Sequence, residues 1–131
     1  MDNQKKRAAG SIKVSADVIM KIAETAACEI DGVVSEGGRL AVLGAKSKFF
    51  GAVRAHLLGE TASLKLEVIV LEGYNAVSVA ESVQRSVKSA IQNMTGFTVT
   101  KVDVDIVGIR FMNGNASARN NTEESSSGRE E

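Results

Sequence analysis

The segment that most constrains the fold spans residues 76–96. There Val79, Ala80, Val83, Val87, Ala90, Ile91 and Met94 recur at helical spacing, and Glu81, Ser82, Arg85, Ser86, Lys88, Ser89 and Gln92 fill the opposite side. Such a helix buries one stripe against a sheet and shows water a polar back, with Glu81 four residues before Arg85 as a favourable surface pair. Gly96 is placed to end it in a left-handed turn. On one side of the helix SLKLEVIVLE, residues 63–72, alternates with Leu64, Leu66, Val68 and Val70 inward. On the other, FTVTKVDVDIVGIRF, residues 97–111, alternates again. The apolar phase slips by one between Val99 and Val102, which predicts a bulge near Thr100 and Lys101.

The rest of the chain supplies matching parts. GAVRAHLL, residues 51–58, sets Val53, Ala55 and Leu57 against Arg54 and His56, and the short Gly-Glu-Thr at 59–61 joins it to the next strand as a β-hairpin. Upstream, Ser15 is a candidate N-cap and Asp17 an acidic first-turn residue. They open a helix whose inner face is Val18, Ile19, Ile22, Ala23, Ala26 and Ile30, with Gly32 as its predicted C-cap. A short alternating piece, Ile12-Lys13-Val14, precedes it. The order strand, helix, strand, strand, helix, strand predicts a two-layer α+β domain of the split βαβ or ferredoxin-like kind, βαββαβ, with both helices on one face of an antiparallel sheet. Residues 32–51 are glycine-rich without a clean period, and long irregular segments of compact domains tend to be functional or mobile.

At 131 residues and 44% hydrophobic, the chain suffices for one core, predicted at 10–111 between a disordered basic head, 1–9, and a disordered polar, acidic tail, 112–131. Acidic and basic residues balance at 16 each, which removes the electrostatic footprint of a phosphate-neutralising protein. A lone cysteine, Cys28, makes no internal disulfide, no apolar run follows the basic start, and none approaches the roughly 20 residues of a membrane span. A cytoplasmic chain is expected, peripheral at the membrane only through a partner.

Chemistry-bearing residues are few. Asp103 and Asp105 share one face of a strand about 7 Å apart. No third acid, histidine or glycine-rich loop joins them, and with Arg54, His56, Lys65 and Glu67 they read as a solvated, mixed-charge sheet face. One histidine excludes a two-histidine metal site within the chain, and Cys28 has no evident base beside it. No phosphate loop or nucleophile elbow is found. No catalytic, cofactor or metal site and no small-molecule substrate is expected. The strand order also fits small RNA-binding domains, but the strand at 63–72 lacks the aromatics that stack bases, so nucleic acid is the disfavoured alternative. Ile69, Leu71, Val107 and Ile109 have the outward parity, and with Arg54, Lys65, Asp103 and Asp105 they form the candidate partner or oligomer surface. Lys46, Lys48, Phe49 and Phe50 either touch an anionic membrane or tuck under the core. The Asn-x-Ser/Thr triplets at Asn93, Asn115 and Asn120 carry no glycosylation reading, because nothing directs the chain to a glycosylating compartment.

Two stretches carry a family resemblance. GSIKVSADVIMKIAETAACEIDGV, residues 10–33, resembles the opening signature of the alkaline-shock/Gls general-stress proteins of Gram-positive bacteria, the envelope stress response family. Residues 68–111 are similar to its second signature: Gly73, Val79, Ala80, Gln84, Val87, Met94, Thr95, Gly96 and Phe97 occupy the motif places, followed by Val102, Val104 and Ile106. One departure is that Glu72-Gly73, with Tyr74 a place later, stands where the family pattern has Tyr-Gly. The resemblance implies a non-enzymatic cell-envelope homeostasis protein held near the membrane by an integral membrane protein partner; as a scaffold or adaptor it is expected to use the open sheet face and its apolar end for self-association or for capture of that partner. It also implies an alternative, control of fatty-acid synthesis through protein contacts.

Overall fold

The computed structural model describes residues 10–42 and 52–112. The predicted head, the predicted tail beyond Met112, the triplets at Asn115 and Asn120, and the Lys46–Phe50 cluster lie outside the described residues. Helix α1 runs Ala16–Cys28, and the Ser15 side chain accepts the Val18 amide at 3.2 Å, as an N-cap should. Two short strands follow, β1 Ser35–Glu36 and β2 Arg39–Leu40, turning on Gly37 and Gly38, both at positive φ as a two-residue hairpin turn demands. Then come β3 Val53–Leu58, β4 Thr61–Leu71, α2 Ala76–Thr95 and β5 Thr98–Arg110. Asn75 caps α2 by accepting the Ser78 amide at 2.9 Å, and Gly96 closes it in the left-handed conformation at φ 80°.

The fold is α+β, as expected, with both helices on one face of the main sheet. Its sheet differs in two respects. Residues 11–15 form no strand, and Ile12 is exposed: two apolar residues are too few to hold a strand of their own. Without that strand to lie between them, β4 and β5 pair directly, and the 20-residue α2 carries the chain back so that they run parallel. The main sheet is therefore mixed, ordered β3-β4-β5, with the predicted hairpin antiparallel and the βαβ unit parallel. The slip in apolar phase is a real bulge: Ala62 pairs with Val99 and Ser63 with Lys101, leaving Thr100 over.

The core lies between sheet and helices. Leu64, Leu66, Val68 and Val70 of β4 meet Ile19 and Ala23 of α1 and Val79, Val83, Val87 and Ile91 of α2. Each fully buried aliphatic side chain of this set contributes about 1.5–3 kcal/mol by leaving water. Met94, which the helical spacing places on this face, is 70% exposed in the last turn of α2. Val18 is likewise exposed, while Ala27 and Glu24 of α1 are buried.

Strand β5 is a sheet edge, and α2 blunts part of it. Gln84 Nε2 donates to the Val102 carbonyl at 2.9 Å, and Gln92 Oε1 accepts the Val99 amide at 3.0 Å. Both backbone groups would otherwise be open to strand addition. Each bond contributes about 0.5–1.5 kcal/mol.

Candidate functional site

The sheet face away from the helices carries the charges that the alternation predicts. In register, Arg54 lies beside Lys65, Lys65 beside Asp103, and Glu67 beside Asp105. Lys65 Nζ is 3.6 Å from Asp105, and Lys101 Nζ is 3.7 Å from Asp103. Each aspartate is thus paired with its own lysine, about half exposed, in a setting where such pairs are worth 0–1 kcal/mol. His56 stands beside Ser63, and among the described residues no three metal-ligating side chains converge.

The apolar end of that face is rearranged. Ile69, expected outward, is only 5% exposed. Residues 32–34 run along the β4 edge beyond the point where β3 has not yet begun: the Val34 amide donates to Ile69 O at 2.9 Å, and the Leu71 amide donates to Gly32 O at 2.8 Å. Val34, the cross-strand neighbour of Ile69, is buried with it. A second bulge then changes the parity of β5. Val68 pairs with Ile106 but Ile69 with Gly108, so Val107 is left over, and Ile109 stands beside core-facing Val70 rather than beside Ile69. Leu71 and Val107 are half-buried, and Ile109 is 53% exposed. The open-face apolar group proposed from parity is not assembled as such.

Exposed apolar residues collect instead where β4 ends, α2 begins and β5 ends. Tyr74 precedes α2 and Val77 lies in its first turn, Ile109 is near the end of β5 and Phe111 and Met112 follow it, all of them exposed. Two hydrogen bonds hold these pieces together: the Glu72 amide donates to Arg110 O at 2.8 Å, and the Met112 amide donates to Glu72 Oε1 at 3.0 Å. Arg110 also reaches Glu36 at 3.4 Å. The signal for this end was present as the apolar residues Tyr74, Val77, Phe111 and Met112, but periodicity gives no account of residues at element ends.

The motif residues divide by role. Val79 and Val87 are core, Ala80 is half-buried, and Gly73 turns the chain into α2 at φ 97°. Thr95 Oγ1 donates to Ile91 O at 2.7 Å and accepts the Phe97 amide at 3.1 Å, so the Thr-Gly-Phe turn fastens the helix end and sends Phe97 against the core. This turn and the Ile12–Val14 segment flank a cleft of about 500 Å³ at the opposite end of the domain.

Helix α1 also carries a buried carboxylate, Glu24, and the chain's one cysteine, Cys28. The buried Glu24 carboxylate accepts the Leu40 amide at 3.0 Å and lies 3.7 Å from Arg39 Nε, tying the β1–β2 hairpin to the helix. Partial burial, reinforced by the Glu24 and Glu29 carboxylates, pushes the Cys28 thiol up, while a hydrogen bond with Ser35 and the Lys21 ammonium offset this only in part. A raised value keeps the thiol protonated at neutral pH. Iodoacetamide should therefore modify Cys28 more slowly than a free cysteine at pH 7, with the rate inflecting at a higher pH than the free thiol's. An inflection at a lower pH than the free thiol's would show a thiol activated rather than suppressed, and an equal one a thiol left unshifted.

The family model for the alkaline shock/Gls24 group, described by a cell envelope-related function, matches residues 4–111. The Bacillus subtilis (strain 168) protein YqhY is 30% identical over 107 residues, covering 78% of this chain and 78% of that protein. YloU of the same organism is 28% identical over 110 residues, covering 79% of this chain and 92% of that protein. Solved structures of MamM-CTD variants align at a TM-score of 0.45 and 14% identity over 72% of this chain and 99% of that chain, a likeness too weak to carry function.

Proposed function

The chain belongs to the alkaline shock/Gls24 family, whose function is cell envelope-related, and on that premise we propose that it is a non-enzymatic scaffold or adaptor of envelope stress, working by self-association and by holding an integral membrane partner. The family match carries this reading, because it spans both helices and the whole main sheet. The geometry supports it in two ways. The open sheet face carries about half-exposed Lys–Asp pairs suited to polar recognition, and Tyr74, Val77, Ile109, Phe111 and Met112 add exposed apolar side chains near the ends of β4 and β5. No described helix is long and apolar enough to cross a membrane, so on this reading the chain reaches the cytoplasmic side of the membrane through its partner.

A tagged copy followed by microscopy, with affinity purification from detergent-solubilised membranes, tests this reading. It predicts enrichment at the envelope together with one dominant integral membrane protein. Diffuse distribution, with no membrane protein recovered before or after envelope stress, would sink it.

A further inference from the structure

We propose that the cleft between helix α1 and the β1–β2 hairpin binds a small zwitterion of the amino-acid class, its ammonium on Glu24 and its carboxylate toward Lys21 and Arg39. The cleft holds about 460 Å³, within the roughly 300–1,000 Å³ of small-molecule sites. It shares no residue with the surfaces offered to a partner above, so this inference and the adaptor reading stand or fall separately. Glu24 carries the argument. Its side chain lines the cleft yet is only 10% exposed. One of its oxygens is in use: Oε2 accepts the Leu40 amide at 3.0 Å and lies 3.7 Å from Arg39 Nε, while Oε1 has no partner among the described residues. A buried carboxylate oxygen accepts and never donates, so the group this position favours is a hydrogen-bond donor brought in through the cleft.

The charges around that oxygen select the ligand. Asp17, Met20, Lys21 and Glu24 follow one another at helical spacing, which sets them on one stripe of α1, and Arg39 of β2 faces the same space. Two acids and two bases thus line the cleft and cancel. A bare amine would gain Glu24 but meet Lys21 and Arg39, and a bare anion would meet the lone pairs of Oε1. A molecule that carries both charges finds a partner for each. A metal ion fits less well, because no three ligating side chains converge among the described residues. Met20, with buried Ala52 and Val53 at the start of β3, supplies an apolar wall, so the zwitterion that fits has a short aliphatic side chain.

The test is an NMR titration of the full chain, read at the backbone amides, with L-valine, isobutylamine and isovalerate. The last two are valine without its carboxylate and without its ammonium. L-Valine should move the Lys21, Glu24, Arg39 and Leu40 amides along one saturable curve, and each fragment should bind about tenfold more weakly or worse. Lys21→Ala, at an exposed helix position, should weaken L-valine about tenfold with an unchanged urea midpoint. Glu24→Gln should weaken it by a similar factor. If Glu24→Gln also lowers the midpoint by loosening the hairpin, Lys21→Ala decides, because it leaves the Glu24–Leu40 contact in place. The inference is overturned if L-valine gives no saturable shift, which would leave Oε1 to water, or if the shifts centre on other residues. It is equally overturned if either fragment binds as tightly as L-valine, or if Lys21→Ala leaves the affinity unchanged.

Discussion

Replacing Ile69 by lysine is expected to lower the stability of the domain by about 3–5 kcal/mol, whereas the same replacement at Ile109 changes it by no more than about 0.5 kcal/mol. The two residues have the same parity in their own strands, so a pattern argument treats them alike. They differ in what lies beside them. Ile69 is 5% exposed, with buried Val34 alongside it on the edge that residues 32–34 add to β4. Lysine there loses about 1.5–3 kcal/mol of aliphatic burial and must draw its ammonium out past Val34 or leave it desolvated. Ile109 stands past the β5 bulge, 53% exposed, where the ammonium is already in water. Urea unfolding followed by circular dichroism checks both. Two wild-type midpoints would mean that Ile69 is a surface residue after all, and two lowered midpoints would mean that Ile109 has a core role.

The contrast marks what is legible in this sequence and what is not. Much of what lies within one element is legible: most of the inner face of α2, the β3–β4 hairpin, the caps at Ser15 and Gly96 and the Thr100 bulge are local consequences of spacing and residue type, although Val18 and Met94, which spacing places inward, are exposed. Relations between elements were not written locally. No feature of Ile12 or Val14 says that the segment forms no strand, and that outcome decides whether β4 and β5 are neighbours, hence whether the sheet is mixed or antiparallel. The β1–β2 hairpin did have a signal, Gly37-Gly38 between short runs that include Val33, Val34 and Leu40, but two-residue strands are too short for any alternation to register.

The candidate site shows the same division. The solvated Asp103 and Asp105 face was readable because each residue's neighbour in register is fixed by strand parity before the second bulge. Val107 is left over at that bulge and parity inverts beyond it, so Ile109 leaves the face to which counting assigns it. Glu24 was missed because a carboxylate on the helix looks solvent-bound until the Leu40 amide, 16 residues away, arrives to use it.

Gly32→Ala is expected to cost about 3 kcal/mol, which for a domain of this size lowers Tm by roughly 12–20 °C. Gly32 is not the C-cap of α1, which ends at Cys28 with Glu29 in right-handed geometry. It is the point where the chain joins the β4 edge, at φ 96°, a conformation that costs an L-residue about 1–2 kcal/mol. A Cβ there would also lie 2.7 and 2.8 Å from the Tyr74 ring and 3.0 Å from Val79. Because Tyr74 is about half exposed, its ring can swing aside, whereas Val79 is core and cannot. The two components separate in a double-mutant cycle. In a Tyr74→Ala background the ring contacts vanish, and Gly32→Ala should then cost the backbone part of about 1–2 kcal/mol plus the unyielding Val79 contact, less than in the wild-type background by whatever the ring adds. Equal costs in both backgrounds would show that the ring already yields freely, and a cost under about 0.5 kcal/mol in the wild-type background would mean that this turn does not require glycine.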